Sequence, residues 1–263
     1  MIKKAANWIM ANKIRFFFVA GILTLIGIIV LDLTYLDSDS KKDVVIEAHG
    51  MLFDIILFGI ILSAYEYITS KNSKIEKYQD EIRDFLGWDE KEATYRIVGN
   101  IKRLNRLNVC RIYLFGAYLK GAKLGGTNLS GARLDIANLE RASLANSNLR
   151  KTGLPSAKLN KASLSNADLT DAKIYHADLE GAYLTGANLT GADLERANLS
   201  GTRLKDANLE RANLKEARNL TFEQLLEVKS LYQCEGLDPE LEAKLIRAKP
   251  CLFMEKGCLK EEE

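Results

Sequence analysis

Apolar residues in this 263-residue chain follow two unrelated patterns. Before about residue 70 they gather in two nearly unbroken runs, and after residue 110 they return at a fixed interval of five. The first run, RFFFVAGILTLIGIIVLDLTYL from Arg15, has no charged side chain between Phe16 and Val30 and meets only Asp32 before Leu36. Some twenty residues of that kind cross a hydrocarbon core about 30 Å thick, so a span over 16–36 is predicted. A secretory signal peptide would have a shorter apolar core and a small-residue cleavage site, whereas DLTYLDSDSKKD follows here.

The second run, from Val44 to Ile68, is long enough to cross back over 45–68, although it holds Glu47, His49 and Asp54. Glu47 and Asp54 are seven apart and share one helix face. An acid inside a span usually faces a bundle interior or a water-filled path, which makes Asp32, Glu47, His49 and Asp54 a candidate polar lining. The plainer alternative puts Glu47 and His49 in the far headgroup layer. Lys3, Lys4, Lys13 and Arg15 precede the first run and Lys71, Lys74 and Lys77 follow the second, while the loop offsets Lys41 and Lys42 with Asp37, Asp39 and Asp43. The positive-inside rule then predicts an integral protein of a bacterial-type inner membrane, held in the lipid bilayer with both termini cytoplasmic.

Residues 71–111 are rich in helix formers and contain no proline, so a helical stalk and N-terminal cap are expected. Ile68, Ile75 and Ile82 recur every seven residues, with Tyr78 and Phe85 interleaved. That narrow seam suits either a second copy of the stalk or the chain's own next helix. Asp89 and Glu92 are spaced as a capping box for that helix, and Ala93, Ile97, Ile101 and Leu104 mark its buried face.

From Ile112 to Glu216 the chain divides into 21 pentads. Their central positions are Leu114, Leu119, Leu124, Leu129, Leu134, Leu139, Leu144, Leu149, Leu154, Leu159 and Leu164, then Leu169, Ile174, Leu179, Leu184, Leu189, Leu194, Leu199, Leu204, Leu209 and Leu214. The residue two before the centre is Ala in all but five, the exceptions being Ile112, Thr127, Ser147, Thr152 and Thr202. Five residues advance an α-helix by about 500°, which scatters the leucines round the axis. In a flat strand an odd period sends them to alternate faces. A chain that extends for three residues and then turns, always the same way, coils with Leu and Ala inside, and the polar residues after each Leu suit the corner.

The A(D/N)LXX run, cleanest in GANLTGADLERANLSG from Gly186 to Gly201, resembles the pentapeptide-repeat family. The resemblance implies a right-handed quadrilateral β-helix with four pentads per coil. Thr221 to Phe253 resembles the helical cap that often follows such repeats. The expected fold is mainly β, this β-helix preceded by two transmembrane α-helices and a helical linker and closed by a small helical cap. The expected domains are 1–70 membrane anchor, 71–111 stalk, 112–216 repeats and 217–263 cap and charged tail.

Composition removes more functions than it adds. No nucleophile elbow, P-loop, zincin or dinucleotide motif is present, so a non-catalytic role with no cofactor and no metal is expected. His176 stands alone on an outer corner, and Cys110, Cys234, Cys251 and Cys258 form no C-x-x-C pair, which reads as plain thiols in a reducing compartment. Some relatives implied by the resemblance are acidic rods that mimic DNA and shield topoisomerase. Here the pentads hold 14 basic and 11 acidic residues, so no nucleic-acid role is expected. Arg141, Arg150, Lys151, Lys158 and Lys161 occur with no acid between Glu140 and Asp168 and form a candidate partner patch. The expected function is a membrane-anchored scaffold presenting the rod to an unknown protein partner, with possible homo-oligomers through spans and stalk. A channel or membrane-disrupting effector is the alternative, and topoisomerase protection the least favoured.

Overall fold

The computed structural model describes residues 22, 23, 26, 27, 29, 30, 34 and 40–255. Asp32 and most of the expected first span lie outside them, as does Cys258. The chain divides into two compact units, Met1–Ser73 and Lys74–Glu263.

In the first unit a long helix begins, α1, Ser40–Asp84. It carries the single stretch among the described residues, within Phe53–Phe85, that is long and apolar enough to cross a membrane. Phe53, Phe58, Ile60 and Ile61 are all exposed there, an outward apolar surface suited to lipid. Asp54 is exposed in the same stretch, and Glu47 and His49 lie on α1 ahead of it.

In the second unit every pentad has the same local structure. The carbonyl of the central Leu accepts a hydrogen bond from the N–H three residues on, as from Ala117 to Leu114 at 3.1 Å, closing a β-turn. The third residue of each turn has positive φ at all 21 positions; eight are glycine and thirteen are not. Between turns one residue pairs in parallel with the residue twenty further on, Tyr113 with Arg133, Tyr118 with Asn138, and so along the rod. Four pentads therefore make one coil, and the rod has four faces. Face one holds the pentads centred on Leu114, Leu134, Leu154, Ile174, Leu194 and Leu214, and faces two to four follow in chain order.

The central Leu side chains and Ile174 point inward and are at most 2% exposed. Burying each contributes about 1.5–3 kcal/mol, which makes this column the chief source of stability. Where Ala is replaced inside, the hydroxyl is satisfied: Thr127 donates to Leu124 and Ser147 to Leu144 at 2.6 Å, and Thr152 to Leu129 at 2.9 Å.

Both ends are covered. Helix α2, Lys91–Arg106, lays Ala93, Ile97, Ile101 and Leu104 over the first coil. Its N-cap is Glu90, with no side-chain cap bond, so the expected Asp89–Glu92 capping box does not form. The Asp89 carboxylate instead faces the Tyr118 hydroxyl and pushes that phenol's pKa up. The seam of Ile75, Tyr78, Ile82 and Phe85 packs into this same core, with Arg96 over the Phe85 ring and Arg103 over Tyr78. At the far end the coil outlasts the repeats. After α3, Phe222–Leu226, Ser230 and Glu235 bridge Asn208 and Asn213 at a spacing of twenty-two, because the helix inserts two residues. Leu231 fills the central position, Gln233 has φ 54, and Cys234 stands where Ala would. Residues 217–235, expected in a helical cap, thus continue the coil, and α4, Pro239–Ala248, closes it with a 3-10 turn, Pro250–Phe253.

Two substitutions test the turn geometry. Ile136 is β-branched at φ 53, so Ile136→Gly should raise stability by about 1 kcal/mol. A Cβ at Gly236, φ 80, would lie 2.4 Å from backbone atoms of Lys215, so Gly236→Ala should lower stability by about 2 kcal/mol or more. Chemical denaturation of the detergent-solubilised chain measures both, and an Ile136→Gly variant no more stable than the parent would discard the strain assignment.

Candidate interaction faces

What the rod offers a partner is set by which polar groups it already uses internally. Except after Leu154, where Pro155 has no N–H, the turn N–H just after the central residue finds no main-chain acceptor, and the residue before the centre decides its fate. Wherever that residue is Asn or Asp, its side-chain oxygen accepts this N–H, in ten pentads out of ten, at 3.0–3.2 Å. The D/N preference of the repeat is therefore a local Asx-type bond that holds the corner.

Face four is almost wholly self-satisfied. Asn208 donates to the Thr190 hydroxyl at 3.0 Å, Thr190 to Asn188 at 2.7 Å, Asn188 to Thr170 at 3.0 Å, and Thr170 to Asp168. Arg150 closes the chain on the other Asp168 oxygen at 3.1 Å. Burial pushes the Asp168 carboxyl up, but the Thr170 and Arg150 hydrogen bonds outweigh it and hold the group below the ordinary 3.8.

Face one is different. Tyr113 and Phe115 stack at 6.1 Å with Arg133 over the Tyr113 ring, and Ile136 lies on the corner one coil further on. Tyr113, Phe115 and Ile136 are 52%, 40% and 53% exposed, and Pro155 and Tyr175, both half-buried, recur at the register position of Phe115, which Asp135 holds in the coil between. A cavity of about 230 Å³ opens beside Tyr113, bounded by Gln79, Ile82, Arg83, Arg111 and Ile112. Tyr113 and Phe115 share a pentad, whereas Ile136, Pro155 and Tyr175 come from pentads one, two and three coils further on, which a linear reading does not bring together.

The five basic residues picked out in the sequence are split. Lys158 is on face two, and Arg141 and Lys161 stack on the corner after it, near Glu140. Arg150 and Lys151 occupy the corner after face four, half a turn away, and Arg150 is committed to Asp168. His176 touches Tyr175 edge-on at 5.9 Å on the corner after face one. Cys110 and Cys234 are free thiols, with burial pushing Cys234 up to about 12, whereas Cys251 is disulfide-bonded, against the expectation of plain thiols. Among the described residues no cluster of His, Cys, Asp and Glu could hold a metal ion.

A family model described as pentapeptide repeats matches in eight copies, over residues 112–152, 154–186 and 182–218. Among solved structures, a pentapeptide repeat protein from the Arabidopsis thaliana thylakoid lumen is 27% identical over 51% of this chain and 85% of that one, with a TM-score of 0.36. Another from Nostoc PCC 7120 is 31% identical over 46% and 79%, with a TM-score of 0.32. QnrB1, a plasmid-mediated fluoroquinolone resistance protein, is 16% identical over 52% and 85%, with a TM-score of 0.25. No curated protein matches the chain.

The lowered Asp168 value fixes a sign. A depressed folded value contributes stability above the unfolded value and loses it as pH falls through the folded one. Asp168→Asn should therefore melt below the parent at pH 7, with the gap closing below about pH 4. A gap that stays constant across a pH series of thermal melts would remove the carboxylate from the ladder's account.

Proposed function

The chain belongs to the pentapeptide-repeat family through residues 112–218, and on that premise we propose that it is a non-catalytic scaffold, held in a membrane, that docks a protein partner on the rod. The observation that carries this is the contrast between faces. Face four uses its polar groups on itself, whereas the first two coils of face one and the corner after it leave Tyr113, Phe115 and Ile136 exposed. Exposed aromatic and large aliphatic side chains on a rigid frame supply the anchors of protein interfaces with little ordering entropy left to lose.

Membrane residence rests on two apolar runs of the sequence, 16–36 and 45–68, the second lying on α1. Cytoplasmic exposure of the rod rests on the basic residues flanking those runs, without help from the cysteines. Self-association belongs in this reading to the spans, because the stalk seam is occupied within the second unit by α2 and the first coil. Mixed charge, 14 basic and 11 acidic residues in the pentads, argues against a DNA mimic.

Affinity capture from membranes with full-length chain tests the docking face. Phe115→Ala combined with Ile136→Asp should cut recovery of partner at least tenfold, since losing one anchor weakens an interface by roughly 1–2 kcal/mol. Recovery equal to the parent's would rule face one out. A channel is the second reading, motivated by Asp54, an exposed acid within an apolar helical stretch. On that reading Asp54→Ala lowers single-channel cation conductance in planar bilayers, and conductance indifferent to the change would end it.

A further inference from the structure

The longest stretch without an acid lies at the base of the rod, not in its middle. Between Glu92 and Asp135 there is no aspartate or glutamate, while eight lysines and arginines fall there. Several are neutralised: Arg96 pairs with Glu92, Lys120 with Glu140, and Arg133 with Asp135. Lys102 and Arg106, with Lys91 at the start of the same helix, have no ion-pair partner among the described residues.

These three cations share one side of α2. The helix gives Ile97, Ile101 and Leu104 to the coil mouth, whereas Lys91, Tyr95, Lys102 and Arg106, spaced four, seven and four apart, form an outer stripe. Tyr95 is 71% exposed in the middle of it, and Trp88, 53% exposed, immediately precedes the helix. A row of cations would suit any polyanion. Exposed Trp and Tyr, each an apolar ring with one polar atom, suit the layer between headgroups and acyl chains.

We propose that the outer stripe of α2, Lys91, Tyr95, Lys102 and Arg106 with Trp88, is a docking surface for anionic lipid headgroups. The cations meet phosphate charge while their methylene stems and the two rings enter the headgroup layer. The inference rests on the reading of residues 45–68 as a membrane segment, which keeps the chain at a lipid surface. It adds a second, electrostatic attachment that responds to lipid composition and ionic strength.

The test uses full-length chain in vesicles, with Trp8→Phe leaving Trp88 as the one reporter of the two tryptophans. Flotation with neutral phosphatidylcholine vesicles reports on the membrane segment alone. Trp88 emission should move to shorter wavelength when phosphatidylglycerol is added to about a third of the lipid, and return in about 1 M salt. Each cation near such a surface favours docking about fivefold, so Lys102→Glu with Arg106→Glu should shift the docked equilibrium at least twenty-five-fold and abolish the change. Equal emission in neutral and anionic vesicles overturns the proposal. So does a response to an RNA oligonucleotide but not to anionic vesicles, which would assign the face to nucleic acid. Chain that fails to float with neutral vesicles but docks on anionic ones supports the stripe and sinks the membrane-segment reading. Thermal melts of the charge-reversal variant control for folding, and the salt titration of the unsubstituted face decides the matter without it.

Discussion

Every feature of the rod depends on a residue in the left-handed region once in each pentad. That conformation turns the chain through a corner and aims one N–H at the carbonyl of the next coil, as Gly116 does to Asp135 at 2.9 Å. For thirteen non-glycine residues it is disfavoured by about 1 kcal/mol or more apiece. It persists because the corner is held by the turn bond, at all but Gly201 and Glu216 by a bond to the next coil, and, where Asn or Asp precedes the centre, by an Asx-type bond. Burial of the central residue makes the arrangement favourable, and the corner makes burial of the central residue possible.

Much of this was legible in the sequence, for identifiable reasons. The period of five is incompatible with both regular elements, so a turning coil follows from Leu spacing alone, and Ala two before the centre marks the tight wall. The role of Asn and Asp before the centre was not legible, because it requires knowing which N–H the corner leaves without an acceptor. The coil's continuation beyond Glu216 was hidden because α3 interrupts the spacing by two and Cys234 and Gly236 replace the Ala and Leu of the pattern.

The surface was harder to read than the core. A linear scan groups neighbours in sequence, whereas the coil groups residues twenty apart and separates those ten apart by half a turn. Arg141 and Arg150 look adjacent in the list of charges yet belong to opposing corners, while Phe115, Pro155 and Tyr175 look unrelated yet share one register position of face one. Folding the sequence into rows of twenty would have exposed face one. A count of charge signs along the chain would have exposed the acid-free base.

The ends of the rod are closed by side chains imitating a missing coil. Asn105 accepts the Asn128 N–H at 2.8 Å and donates to its carbonyl at 2.7 Å, as a peptide group would, and Gln224 donates to the carbonyls of Leu199 and Thr202 at the other end. With both lids keyed to a face rather than to a length, the middle becomes a ruler of discrete gauge. Adding four pentads would move the far lid outward by one coil, about 4.8 Å, in unchanged azimuth, and adding one would swing it a quarter turn. Reach and bearing of whatever the rod carries can thus be altered separately by duplication, in whole steps, with neither lid redesigned.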